Sequence, residues 1–319
     1  MTTTETANWL KERDNFLILT HRRPDGDTIG SAGALAQSLR EQGKTAYILF
    51  NPEVTPRYAK FVEDHWAPDA YTPENIITID TASYELFPKN GEIYKNNVSL
   101  CIDHHPSNAY YAEITCLDSN AASCGEIVYD LSIAMTGNVS AKTADRLYVA
   151  LSTDTGCFAF ANTTANTLRT AALLIEAGAS YRAINKELFR TRTLGRIKIE
   201  GLIFSSLEFY FNGTVAISTI TKSMIEVANA TEDDLDDIAS IPGSVQGVHA
   251  GITLRELTSE NDCKVSVRTG ASINAHSVCA HFGGGGHPMA AGFSRDKSIS
   301  EVKTELLEVL NLELVRSEE

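Results

Sequence analysis

Five carboxylates and three histidines are spread through the first half of this chain, most of them just past a short apolar run. They are His21, Asp25 and Asp27 in THRRPDGD, Asp80 in ITIDT, Asp103, His104 and His105 in CIDHHPSN, and Asp154 in STDTG. The first three groups follow Phe16 to Leu19, Ile76 to Ile79 and Val98 to Ile102, each of which reads as a β-strand. In an open α/β sheet, residues just past several strand ends converge on one crevice. So many converging negative charges repel one another unless cations sit between them. The pattern therefore predicts an α/β domain carrying a dinuclear metal centre of the kind that hydrolyses esters.

The apolar runs extend this reading. Strands are expected at Phe16–Leu19, Ala46–Phe50, Ile76–Ile79, Val98–Ile102 and Ile114–Leu117. Between and after them, helices are expected at Ser31–Gln42, Glu126–Met135, Lys142–Ser152 and Thr167–Ala177. Alternating strands and helices imply a parallel sheet with helices on both faces. The texture changes after Arg190, where TRTLGRIKIEG reads as a connector or the start of a linking helix. Strands are then expected at Thr214–Ile220, Val248–Leu254 and Cys263–Val267, with an acidic helix between the first two and a closing amphipathic helix over Ser298–Leu314. The expected domains are 1–190 for the metal-binding part, 191–212 for a linker, and 213–319 for a smaller α+β domain, with a cleft between the two. A length of 319 residues fits two cores better than one.

Charge bounds the partners. The chain carries 27 basic and 41 acidic residues, a net charge of −14, and so has no general attraction for long duplex nucleic acid. A phosphate-ester substrate would have to be short, and held by metals and a few local cations. No run reaches the length of a membrane span, and the opening residues lack the layout of a signal peptide. Six scattered cysteines without a CxxC pair read as reduced thiols, so the cytoplasm is the expected compartment. The sequence is silent on oligomeric state, and a homodimer is compatible with it.

Each motif has a plain reading beside the chemical one. Gly26, between two aspartates, is expected to form a tight turn that aims Asp25 and Asp27 at different ions. By itself PDGD is equally a simple β-turn, and Asp80 by itself is equally a helix cap. Asp103-His104-His105 is more specific, because adjacent histidines at the end of a buried strand are seldom explained by packing. A histidine ligand also needs an acceptor on its other nitrogen. Asp154 is expected in a loop after the helix that ends near Ser152. Mixed histidine and carboxylate ligation without thiolate suits Mn²⁺, with Mg²⁺ as the alternative. Two such ions would activate one water and clamp phosphoryl oxygens.

The second domain contributes FGGGGHPMAAGF. Gly283, Gly284, Gly285 and Gly286 would expose backbone N–H groups to a ligand, and His287 would donate to a phosphate or stack on a base. The plain alternative is a flexible loop. Arg268, ending the strand KVSVR, reads either as a phosphate clamp or as a solvated strand end. The acidic run at 232–237 reads as a solvated helix face, His65, His249 and His276 as structural, and Trp9 and Trp66 as anchors.

Taken in order, HRRPDGD, ITIDT, CIDHHPSN, STDTG and GGGGHPMAAG resemble the DHH phosphoesterase family with its DHH-associated C-terminal domain, from about position 14 to 295. Within it the chain most resembles the nanoRNase and 3′-phosphoadenosine-5′-phosphate (pAp) phosphatase group. That resemblance implies one Mn²⁺ held by His21 and Asp25, a second held by Asp27, His104 and Asp154, and Asp80 bridging them. It implies that His105 faces the scissile phosphate and that Asp103 supports the histidines from behind. Arg268, the glycines and His287 would hold the far end of a short RNA or of pAp, and closure of the two domains would measure substrate length. The alternative substrate class is a linear or cyclic dinucleotide.

Overall fold

The computed structural model describes residues 1–235, 237–270 and 273–317. The chain divides into two compact units, Met1–Thr191 and Arg192–Glu319. Among the described residues, no helix is long and apolar enough to cross a membrane.

The first unit is built on five strands, β1 (Phe16–Leu19), β2 (Ala46–Ile48), β3 (Asn75–Ile79), β4 (Val98–Asp103) and β5 (Ile114–Leu117). They are all parallel, in the order β2-β1-β3-β4-β5. Seven helices accompany them: α1 (Thr3–Lys11), α2 (Gly26–Glu41), α3 (Pro56–Ala59), α4 (Cys124–Thr136), α5 (Ala141–Asp154), α6 (Ala165–Glu176) and α7 (Tyr181–Asn185). Side chains alternate across a strand, and both faces of this sheet are covered, as a parallel sheet requires. Phe16 and Ile18 join a core with Leu10, Ile29, Leu35, Leu131 and Leu147 from the α-helices. Leu17 and Leu19 face a second cluster with Phe87, Tyr84 and Tyr94, which short 3-10 turns at Tyr84–Leu86 and Lys89–Tyr94 supply. The strand order reverses at β1, where β2 lies to one side and β3 to the other, and chain crossings of this kind open a crevice at the carboxyl ends.

Two expectations near that crevice are corrected. Residues 25–31 form no tight turn ahead of a helix at Ser31, because α2 already begins at Gly26. Asp25 is its N-cap, accepting from the N–H groups of Asp27 and Thr28 at 3.0 and 3.1 Å. Gly26 is needed for closeness rather than for a turn, since a Cβ there would run into the Thr153 side chain. Asp154 is not in a loop either. It ends α5, whose backbone approaches α2 so closely that a Cβ on Gly30 would strike Arg146 and Ala150. The close α2–α5 contact brings Asp154 to the start of α2. Strand β2 is also shorter than its apolar run and stops at Ile48.

The second unit holds α8 (Leu194–Ser205), β6 (Glu208–Tyr210), β7 (Val215–Ile220), α9 (Lys222–Ala228), β8 (Ala250–Glu256), β9 (Cys263–Thr269), α10 (Ala275–Ala280), β10 (Gly285–His287), β11 (Ala290–Arg295) and α11 (Ile299–Ser317). Among its described residues, six strands run in the order β10-β11-β9-β8-β7-β6, with β7 and β8 parallel and the other neighbours antiparallel. Val215, Ile252, Leu254, Val265, Val267, Phe293, Val302 and Leu306 form its core. The expected linker is therefore mostly α8 and β6. Among the described residues, the acidic run between β7 and β8 forms no α-helix. The helix there is α9, and the acidic run makes a 3-10 turn at Asp233–Leu235, with Asp236 outside the described residues. Asp234 is buried and accepts from Thr231 N–H and Oγ1, and so turns inward instead of lining a solvated face.

Candidate metal centre

Strand ends and helix ends deliver all eight first-unit side chains to the same rim. His21 follows β1, Asp80 follows β3, and Asp103 ends β4 with His104 and His105 behind it. Asp25 and Asp27 come from the start of α2, and Asp154 from the end of α5. Ligand atoms of His21, Asp25 and Asp80 lie within 4.8 Å of one another, and so do those of Asp27, His104 and Asp154. Asp80 also joins the second group: its Oδ1 is 3.5 Å from His104 Nε2 and 3.4 Å from His105 Nδ1, while its Oδ2 is 3.7 Å from His21 Nε2. One carboxylate thus faces both triads.

Each of the three histidines has an oxygen against Nδ1, although His105 turns that same nitrogen toward Asp80. His21 Nδ1 lies 2.7 Å from the Arg22 carbonyl, His104 Nδ1 3.2 Å from the Ala121 carbonyl, and His105 Nδ1 2.8 Å from Asp103 Oδ1. An oxygen at Nδ1 fixes the proton there and leaves Nε2 as the electron-pair donor, the arrangement a metal-ligating imidazole needs. Nε2 of His21 and of His104 faces the carboxylates.

Asp103 belongs to neither triad. Fully buried, it accepts from the N–H groups of His104 and His105 and from His105 Nδ1 on one oxygen, and from Asn108 Nδ2 at 2.6 Å on the other. Asp27 is held from behind as well. The N–H groups of Cys124 and Gly125, at the start of α4, donate to it at 2.7 and 3.1 Å, and Ser31 Oγ donates at 3.0 Å. Asn108, Cys124, Gly125 and Ser31 carried no assigned role in the sequence. Asn108 lies in the quoted DHHPSN string, but its partner is only visible once the loop folds back.

The electrostatics are unbalanced. Burial, followed by the charges of Asp80 and Asp154, pushes the Asp27 carboxyl well above its ordinary range. Burial also raises Asp80, and lifts Asp154 to about 6 against the pull of His104. Burial alone would lower the histidines, yet the surrounding acids raise His21 to about 9 and His104 to about 10. Asp25 goes the other way, lowered by His21 against the effect of burial. Asp80 adds a direct sign of the imbalance: its Oδ1 is buried and has no hydrogen-bond partner, and its backbone is left-handed at φ 53°. That oxygen has the His104 and His105 nitrogens at 3.5 and 3.4 Å, and a buried carboxylate oxygen without a hydrogen bond is expensive unless a cation serves it. Nitrogen and oxygen donors in this number fit a pair of divalent ions, so the residues present suit the centre.

The second-unit residues form a separate group. The glycine run is not a free loop, because Gly285–His287 is strand β10, paired with Ala290–Gly292 at the sheet edge. The N–H groups of Gly283 and Gly284 donate to Ala280 and Cys279 and close α10, so they are not open to a ligand. Gly284 and Gly286 have neighbours where a Cβ would stand, whereas Gly283 and Gly285 face open space. Across the sheet, His287 is registered with Ala290 and Ala290 with Arg268, which puts His287 and Arg268 on the same face with a small residue between. His287 is exposed and Arg268 half-buried, its Nη1 donating to the Val267 carbonyl. His276, which the sequence suggested was structural, sits 3.0 Å from the Gly286 carbonyl.

Comparisons with known proteins agree with this layout. Residues 15–151 match the model of the DHH family N-terminal domain, and residues 212–316 match the DHHA1 domain. A Thermus thermophilus protein named as a bifunctional oligoribonuclease and PAP phosphatase is 31% identical over 94% of this chain and 90% of its own length. A Bacillus subtilis protein of the same name is 28% identical over 91% and 92%. A crystal structure of an exopolyphosphatase-related protein from Bacteroides fragilis superposes with a TM-score of 0.89 at 23% identity, covering 99% of this chain and 97% of the other.

Proposed function

Because the chain belongs to the DHH family, and is on that ground a phosphoric ester hydrolase, we propose that it is a Mn²⁺-dependent enzyme. In this reading it cleaves oligoribonucleotides of a few residues to 5′-mononucleotides and removes the 3′-phosphate of pAp. The carrying observation is the buried carboxylate of Asp80, one oxygen of which faces His21 while the other, without a hydrogen bond, faces His104 and His105. His21 and Asp25 would hold one ion, and Asp27, His104 and Asp154 the other, with Asp80 between them. Bound there, the ions supply an activated water near neutral pH and neutralise charge on the phosphoryl oxygens.

The chain's own residues do the rest. Asp25 is set by its cap on α2, and Asp27 by α4 and Ser31, so both carboxylates are aimed before substrate arrives. Asp103, fixed by Asn108, holds the His105 proton on Nδ1 and so presents Nε2 to a phosphate ester. On the second unit, His287 and Arg268 share a face suited to a phosphate or a nucleotide sugar. The relatives named as acting on short RNA and PAP support this substrate class. The cysteines of the described residues are all free, which suits work in a reducing cytoplasm.

The decisive experiment incubates the protein with a dinucleotide RNA or pAp, in Mn²⁺ or in EDTA. Mononucleotide and phosphate release that needs the metal is the expected result. Survival of both substrates overturns the assignment and directs attention to cyclic dinucleotides.

A further inference from the structure

The segment after Asp154 has an uncommon backbone. Gly156, Cys157 and Phe158 all have positive φ, at 56°, 57° and 68°. Side chains with a Cβ rarely take this conformation, and consecutive examples persist only where surroundings impose them. Here the surroundings are explicit. Thr155 Oγ1 accepts from the N–H of Phe158 at 3.1 Å and donates to the Leu151 carbonyl at 2.5 Å. The N–H groups of Ala159 and Phe160 return to the Thr155 carbonyl at 2.9 and 3.0 Å. Phe158 is drawn inward against Tyr148, with ring centroids 5.9 Å apart.

Phe160 is left outside. It is 54% exposed, yet it is not loose: its ring covers Gly156 so closely that a Cβ there would lie 2.5 Å from ring atoms. The loop is also tied to the metal ligands. Asn162 Nδ2 donates to the Asp154 carbonyl and to the Ala122 carbonyl, both at 3.1 Å, and the neighbouring Ala121 carbonyl is the one that faces His104 Nδ1. A strained turn thus holds a partly exposed aromatic ring on the segment that directly follows Asp154.

We propose that Phe160 is a nucleobase-stacking platform, so that this rim recognises the base of the nucleotide whose phosphate meets the metal centre. The inference rests on the nucleotide reading given above and deepens it. A ring fixed before binding loses little freedom when a base lands on it, and an aromatic face accepts any base, which suits a substrate defined by length and not by sequence. Stacking of this kind is worth about 5- to 100-fold in affinity for one base.

The test is calorimetric titration of the full chain in Mn²⁺ with AMP and with ribose 5-phosphate, which differ by the base. AMP is expected to bind more tightly, and Phe160→Ala to remove most of that preference, a loss of about 5- to 100-fold. Phe160→Leu keeps a cover on Gly156 without a π face and should lose the preference too, whereas Phe160→Trp should keep it. Ribose 5-phosphate affinity should stay constant through the series. An AMP preference that survives in both Phe160→Ala and Phe160→Leu, or that is missing from the parent chain, overturns the platform. An AMP preference lost as expected, in a protein that leaves dinucleotides intact, overturns the reaction and leaves the platform standing.

Discussion

The first unit contains two clusters of histidine and aspartate, one with an exposed aspartate beside an arginine and the other with Asp27 and Asp80 buried. In one, Asp64 lies against Arg146, whose Nη2 reaches both carboxylate oxygens at 2.9 and 3.0 Å, and His65 Nδ1 lies 2.6 Å from Asp64 Oδ1. Burial tends to raise the Asp64 carboxyl, but Arg146 and His65 bring it below its ordinary value. His65 is buried, and desolvation, assisted by Arg146 and Arg40 against the pull of Asp64, lowers it to about 4. In the other cluster no arginine or lysine stands among the ligands named above. There Asp27, Asp80 and Asp154 are raised, and His21 and His104 climb to about 9 and 10. The same residue types thus make an exposed Asp64–Arg146 ion pair in one place, with His65 Nε2 buried and without a hydrogen bond, and a group of raised acids in the other. Two things separate them: the solvent exposure of Asp64 and the arginine the fold sets against it.

The largest way to break this contrast is to remove the shared ligand. Under the proposed two-ion reading, Asp80→Ala should lower metal-dependent turnover by about 10³-fold or more, since several kcal/mol of transition-state stabilisation would be lost with the metal centre. It should also weaken Mn²⁺ binding in calorimetry. Near-normal turnover would mean that the two triads do not act as one centre.

Stability should divide the clusters next. Mn²⁺ at about 100 times its dissociation constant should stabilise the parent chain by about 2.7 kcal/mol over the EDTA-treated protein. Arg146→Met should cost about 2 kcal/mol through lost hydrogen bonds to Phe61 and Asp64. The Mn²⁺ increment should be unchanged in that variant, as read by thermal unfolding with and without the ion. An increment that vanishes with Arg146 would couple the clusters and undo the distinction.

The smallest effect is in acid. His65 titrates near 6.5 when unfolded and near 4 when folded, so between these values only the unfolded chain takes the proton. Stability from this group is complete above about pH 6.5 and falls as the pH drops toward 4. His65→Gln should therefore show a shallower loss than the parent over that window in urea unfolding. Parallel pH curves would show that His65 is not the buried neutral group described.

Much of the site was legible because its chemistry is concentrated in few residue types. Aspartates and histidines past apolar runs stand out whatever surrounds them, and the strands at Phe16–Leu19 and Ile114–Leu117 have the bounds their apolar runs suggested. Supporting residues were hidden because their partners are remote in sequence: Cys124 and Gly125 reach Asp27 across nearly 100 positions, and Arg146 reaches Asp64 across 82. Helix starts were misplaced for a related reason. Gly26 reads as a turn residue, whereas the Asp25 cap starts the helix there and the approach of Thr153 explains why the position is glycine. The four glycines looked alike, but neighbours distinguish them, with Gly284 and Gly286 crowded and Gly283 and Gly285 open.

By itself the sequence determined which atoms this protein can offer and where along the chain each strand hands them to the rim. Residue type and hydrophobic period are local properties, and local properties can be read in order. The tertiary structure supplied the grouping in space, which the sequence carried only through a family resemblance: Asp80 facing both triads, Asp103 behind the histidines, and Asp154 at the end of a helix beside Asp27. That grouping depends on the strand order β2-β1-β3-β4-β5 and on how closely α2 and α5 approach. Distances between remote segments follow from packing, and packing is settled only when the whole core closes.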